Sequence, residues 1–143
     1  IDLGEGVWVI PAARMKAGRE HRVPLSGAAL AVLARMQPKA AGLVFPGLRP
    51  GKPMGRVEPR RVLDRMGVGV TVHGFRSTFA QWAAERTAYP HEVREMALAH
   101  AVGDAVVRAY QRSDLFDRRR RLLDDWARWC DGQQGGEVVP IRA

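Results

Sequence analysis

The chain has 143 residues, 46% of them hydrophobic, which is enough to bury the core of one domain. It holds no apolar run long enough to span a bilayer and no signal-peptide pattern, and its one cysteine, Cys130, excludes an internal disulfide and suits a reducing compartment. Lysine and arginine outnumber aspartate and glutamate by 23 to 15, a net charge of +8, which biases a domain of this size toward nucleic acid or another polyanion.

The chain enters a β pattern almost at once, I-D-L-G-E-G-V-W-V-I-P, without an initiator methionine, and reads as cut from something longer. Val7 to Ile10 and His21 to Leu25 are strand-like, and the A-A-R-M-K-A-G-R-E between them makes a hairpin whose loop carries Lys16. Ser26 caps a helix on which Leu30, Leu33 and Met36 recur at helical spacing before Pro38. The Gly- and Pro-rich G-L-R-P-G-K-P-M-G, residues 47–55, is a surface loop. A short helix is expected over Pro59 to Met66, with Val62, Leu63 and Met66 facing inward.

Thr71 caps the next helix, which runs to about Arg86 and presents Phe75, Phe79 and Trp82 as its apolar face. Pro90 suits the first position of a helix with Val93, Met96 and Ala97 facing in and His100 near its C-terminal end. Asp104 caps a helix from Ala105 through Tyr110, and a last helix from about Asp114 to Cys130 puts Leu115, Leu122, Trp126 and Trp129 on one stripe. The expected fold is α+β, mostly α-helical, with a small antiparallel β-sheet at its N-terminal side; the domain covers residues 1–130 and residues 131–143 form a flexible tail.

The stretch V-T-V-H-G-F-R-S-T-F-A-Q-W, residues 70–82, sets His73 and Arg76 three apart at the start of a helix. Residues at that spacing are neighbours on one face, so both can reach a single anionic group, and the helix N-terminus adds N–H donors and the positive end of the dipole. This local arrangement points to a phosphate. Taken singly, each polar candidate has an ordinary explanation: a solvated helix face for His73 and Arg76, a core histidine for His100, a half-buried aromatic for Tyr110, a soluble lysine for Lys16. The run R-R-R-R at 118–121 reads as a solvated face opposite Leu122 and Trp126, part of which touches phosphates. His21, His73, His91, His100 and Cys130 show no ligand spacing, so neither a metal nor another cofactor is expected, and no G-x-S-x-G surrounds a serine.

Taken together and in order, M-K-A-G-R-E-H-R-V-P-L-S, H-G-F-R, L-A-H-A-V-G and A-Y-Q-R make a pattern. It resembles the catalytic domain of the tyrosine recombinases, the phage-integrase family, and within it the integrases of prophages and integrative elements, from residue 1 to about Cys130. The resemblance implies a site-specific DNA recombinase that breaks and rejoins DNA through a 3′-phosphotyrosyl intermediate. Tyr110 would attack the phosphodiester, Arg76 and His73 would contact its non-bridging oxygens, His100 would complete the clamp from the other side, and Lys16 would protonate the departing 5′ oxygen. Fixed cationic donors favour the charge that gathers during attack, and the covalent link conserves the energy of the broken bond, so neither metal nor ATP is required.

The same resemblance implies double-stranded DNA and other protomers of the recombinase as partners, no membrane, and a bacterial cytoplasm in association with the nucleoid. One departure stands out. The family's first arginine and a nearby acidic residue belong on a helix just upstream of I-D-L, and its DNA-grasping N-terminal domain precedes that; none of these lies in this chain, so its catalytic site is expected to be incomplete. Rival readings are a truncated integrase that only binds DNA, a type IB topoisomerase-like nicking and closing enzyme, and, more distantly, a phosphohydrolase of small phosphate esters.

Overall fold

The computed structural model describes residues 1–36, 42–47, 49, 51–102 and 113–132. Two strands, β1 (Val7–Ile10) and β2 (His21–Pro24), pair antiparallel in the register Val7 to Pro24 and Ile10 to His21. Their connection holds a single 3-10 turn, Ala12–Arg14, and then Lys16, which is exposed. The entry to β1 is a tight reversal. Gly6 has φ +61°, and a Cβ there would sit 3.1 Å from Arg120 Nη1, so glycine serves both the left-handed backbone and the close approach.

Helix α1 (Gly27–Arg35) starts where the cap chemistry says it should: Ser26 Oγ accepts from the Ala29 N–H at 3.3 Å. Helix α2 (Glu58–Arg65) carries Pro59 in its first turn and buries Leu63, but Val62 and Met66 are exposed, Met66 by 66%. The expected three-residue inward face of this helix is therefore one residue wide. Eight residues make only about two turns, so one inward position per turn leaves little room for a stripe.

Helix α3 (Val72–Glu85) is capped by Thr71, whose Oγ1 accepts from the Gly74 N–H at 3.0 Å. Phe79, Trp82 and Ala83 point into the core, whereas Phe75 is 55% exposed and does not belong to the buried face. Helix α4 (His91–Ala97) begins one residue later than the proline pattern suggests: Pro90 is its N-cap, with ψ 148° still extended. Helix α5 (Phe116–Cys130) follows a left-handed Leu115, φ 51°. Among the described residues there are thus five α-helices and one two-stranded sheet, an α+β fold dominated by helix.

The core lies where α3, α4 and α5 meet, and consists of Phe79, Trp82, Ala83, Val93, Leu98 and Leu122. Leu122 and Val93 are fully buried, each worth about 2 kcal/mol relative to exposure. Trp126 meets Phe79 edge-on at 5.4 Å and Trp129 stacks on Trp126 at 5.0 Å, with Trp129 itself 44% exposed. Tyr89 closes this side by donating its hydroxyl to Asp125 Oδ2 at 2.7 Å. Burial and that acceptor together raise the phenol's pKa well above its ordinary value.

The basic run 118–121 is not uniformly solvated. Arg119 is 1% exposed and donates from Nε to the Asp114 carbonyl (2.7 Å), from Nη1 to the Arg22 carbonyl (2.6 Å) and from Nη2 to Asp114 Oδ2 (3.0 Å). Arg120 donates to the Glu5 carbonyl at 2.9 Å and lies over the Phe116 ring. Arg118 and Arg121 are exposed as expected. The inward pair ties α5 to β2 and to the entry of β1, so helical periodicity split one charge run between two environments. Among the described residues no helix is long and apolar enough to cross a membrane.

Candidate active site

Two of the expected site residues meet directly. Arg76 lies in the second turn of α3, and its Nη2 donates to the Leu98 carbonyl at 2.6 Å and to His100 Nε2 at 2.5 Å. Both hydrogens of that nitrogen are thereby used. Nη1 and Nε keep three further donors, and among the described residues these have no protein partner. A guanidinium fixed along one edge and free along the other is a preorganised anion receptor.

His100 is held by the way α4 ends. The His100 N–H bonds back to the Glu95 carbonyl at 2.9 Å and the Ala99 N–H to the Met96 carbonyl at 3.1 Å, the paired contacts of a Schellman motif. Ala99 occupies the left-handed position of that motif, φ 58°, where glycine is usual. The reversal turns the His100 ring back along the helix, so that Nδ1 donates to Glu95 Oε2 at 2.7 Å while Nε2 faces Arg76.

His73 is the second residue of α3, exposed, three positions before Arg76. The capping bonds of Thr71 occupy the Gly74 N–H, so that donor of the helix terminus is not open to a ligand. Lys16 does not touch Arg76 or His100. Its neighbours Met15, Ala17 and Arg19 do line a groove of about 440 Å³ together with Met96, Ala99 and His100, and Glu20, His21, Ala101, Val102, Asp114 and Arg119 complete the described part of its wall. Tyr110, and the helix expected from Ala105 through it, lie outside the described residues, as does the expected tail beyond residue 132.

Three participants were not visible in the sequence. Glu95 precedes His100 by five residues, a spacing that brings side chains together only when the chain reverses between them. Asp114 and Arg119 are the second and third: they lock the groove's far wall, and Arg22 joins them through its 3.5 Å contact with Asp114 Oδ2. His21 sits half-buried beside this pair. Burial lowers its pKa, the Arg119 charge lowers it further, and Asp114 opposes both without reversing the direction. Among the described residues no group of three His, Cys, Asp or Glu side chains is placed to hold a metal ion.

The chain matches the phage integrase family over residues 1–115. Among curated proteins it is 40% identical to the prophage integrase IntA of Escherichia coli K12, over 97% of this chain and 35% of that protein. It is 31% identical to the prophage integrase IntZ of the same strain, over 99% of this chain and 36% of the relative. It is also 30% identical to the integrase of Shigella phage Sf6, over 92% of this chain and 35% of the relative. The chain therefore spans about a third of the length of the curated relatives it matches. No solved structure matches it. With the four motifs in order, an arginine–histidine pair at the head of the central helix and a match over most of its length, the chain belongs to the phage integrase family.

Proposed function

We propose that this chain is the catalytic segment of a site-specific DNA recombinase acting through a 3′-phosphotyrosyl intermediate. The observation that carries the reading is the fixed guanidinium of Arg76, which spends one nitrogen on Leu98 and His100 and keeps its remaining edge for an anion. His73, one turn away on the same helix, adds a second donor to the same face. The partner is duplex DNA, whose scissile phosphate is the anion.

In this reading the Tyr110 phenol attacks phosphorus, the P–O5′ bond breaks, and the 3′ phosphate becomes joined to the tyrosine. Lys16, carried on the exposed hairpin connection, gives its proton to the leaving 5′ oxygen. Arg76 and His73 stabilise the non-bridging oxygens, which gain charge in the transition state. Reversal of the same steps with a different 5′ hydroxyl rejoins the strands, so partner exchange requires further protomers on the DNA.

The test uses a nicked duplex and a full-length integrase carrying this segment. Tyr110→Phe should form no protein–DNA adduct while binding duplex as before. Lys16→Ala should be rescued by DNA with a 5′-bridging sulfur, because a thiolate leaves without a proton, and His73→Ala and Arg76→Ala should not. Adduct formation by Tyr110→Phe, or equal rescue of all three, would overturn the assignment.

A further inference from the structure

Glu95 has no part in the roles described so far, yet it makes two contacts to His100. Its backbone carbonyl accepts the His100 N–H at 2.9 Å, and its carboxylate meets the ring Nδ1 at 2.7 Å. The ring's other nitrogen, Nε2, is 2.5 Å from Arg76 Nη2. Arginine only donates, so Nε2 must present its lone pair. A neutral imidazole has one N–H, which then sits on Nδ1, aimed at a carboxylate that only accepts. The opposite tautomer would set two N–H groups against each other at Arg76 and a lone pair against Glu95.

We propose that Glu95 is a positioning residue of the candidate site: it keeps the His100 proton on Nδ1, so that Nε2 remains the acceptor that orients Arg76. The proposal deepens the reading of Arg76 as a phosphate receptor and rests on it for its consequence in catalysis. Both ring nitrogens are then engaged, and the imidazole fixes the guanidinium together with the Leu98 carbonyl. Outer partners of this kind, a carboxylate behind a histidine, commonly cost 10- to 100-fold when removed from metal sites, where they set tautomer and orientation in the same way.

Histidine-labelled protein, read by long-range proton–nitrogen correlation at mildly alkaline pH, reports the tautomer of each ring, and His100→Asn assigns the signal. The unaltered chain should show His100 with its proton on Nδ1. In Glu95→Ala only the Arg76 contact still opposes the Nε2–H form that free histidine favours, so that form should become populated, and Glu95→Gln should retain the Nδ1–H form, since the amide oxygen still accepts. Glu95→Ala leaves the helix end intact, because the carbonyl that closes the Schellman motif is backbone. In the nicked-duplex assay, Glu95→Ala should lower the rate of adduct formation about tenfold or more, and Glu95→Gln should restore most of it. An unchanged tautomer in Glu95→Ala, or a Glu95→Gln variant as impaired as the alanine, would overturn the proposal. Absence of adduct from the unaltered protein would instead overturn the recombinase reading, with the tautomer measurement still deciding the role of Glu95.

Discussion

Ala99 holds a left-handed backbone that alanine adopts only at a cost of about 1 kcal/mol. The residue lies between Leu98, whose carbonyl receives Arg76, and His100, whose ring faces it, so the strained position sets the geometry on both sides. Ala99→Gly should relieve the strain and raise the unfolding free energy by about 0.5–1 kcal/mol in urea titration, less the entropy glycine adds to the unfolded chain. A loss of stability would mean that the alanine methyl contributes packing that outweighs its backbone. At this scale the sequence was readable where a residue type carries its own constraint. The Thr71 and Ser26 caps are short polar side chains directly before a helical repeat, and both stand where they were expected. Phe75 was misread, because periodicity gives the spacing of an apolar face but not its width, and the stripe ends at Phe79.

Helix α5 is held to the rest of the fold by polar contacts as well as by its apolar stripe. Arg119 donates three hydrogen bonds from a buried position, and its removal would leave the Arg22 and Asp114 carbonyls without their donor. Arg119→Met should therefore destabilise the chain by about 2–3 kcal/mol, whereas Arg118→Ala, one residue earlier on the exposed face, should stay within about 0.5 kcal/mol. Equal effects in thermal or urea unfolding would show that the latch carries no net stability. Four consecutive arginines look alike in sequence, and nothing in their order marks the one that turns inward. The discriminating information is the partner, Asp114 and the strand carbonyl at position 22, which is distant along the chain and becomes adjacent only after folding. The same holds for Glu95 and His100: the motif L-A-H was legible, and the carboxylate behind it was not, because a five-residue separation is not a helical contact.

The whole chain is basic, and with Arg119 and Arg120 engaged internally the cations left for a nucleic acid are those that remain exposed. Binding of duplex DNA should be weak, largely independent of sequence, and steeply dependent on salt. Six phosphate contacts would lower the affinity roughly a thousandfold between 50 and 200 mM salt. A mobility-shift series across that range checks this, and salt-insensitive binding would exclude a phosphate-driven surface. The fold class, the hairpin, both strands and the five helices among the described residues were legible from hydropathy period and turn residues. The architecture of the site was legible only in part: of the side chains the motifs single out, the three-dimensional structure brings Arg76 and His100 face to face, and no motif announced that contact.

The contacts from α5 to the hairpin also set an order of assembly. Arg119 reaches the Arg22 carbonyl across 97 residues of chain, and Arg120 reaches Glu5 across 115. Contacts that close loops of this length bear the largest entropic cost and are rewarded late. The Arg76–His100 contact closes a loop of only 24 residues and can form from local elements. The Arg76–His100 pair is therefore expected to form early, and the hairpin whose connection carries Lys16 to be secured only once α5 has docked. A nascent chain ending before α5 would present the paired Arg76 and His100 before the hairpin that carries Lys16 is fastened.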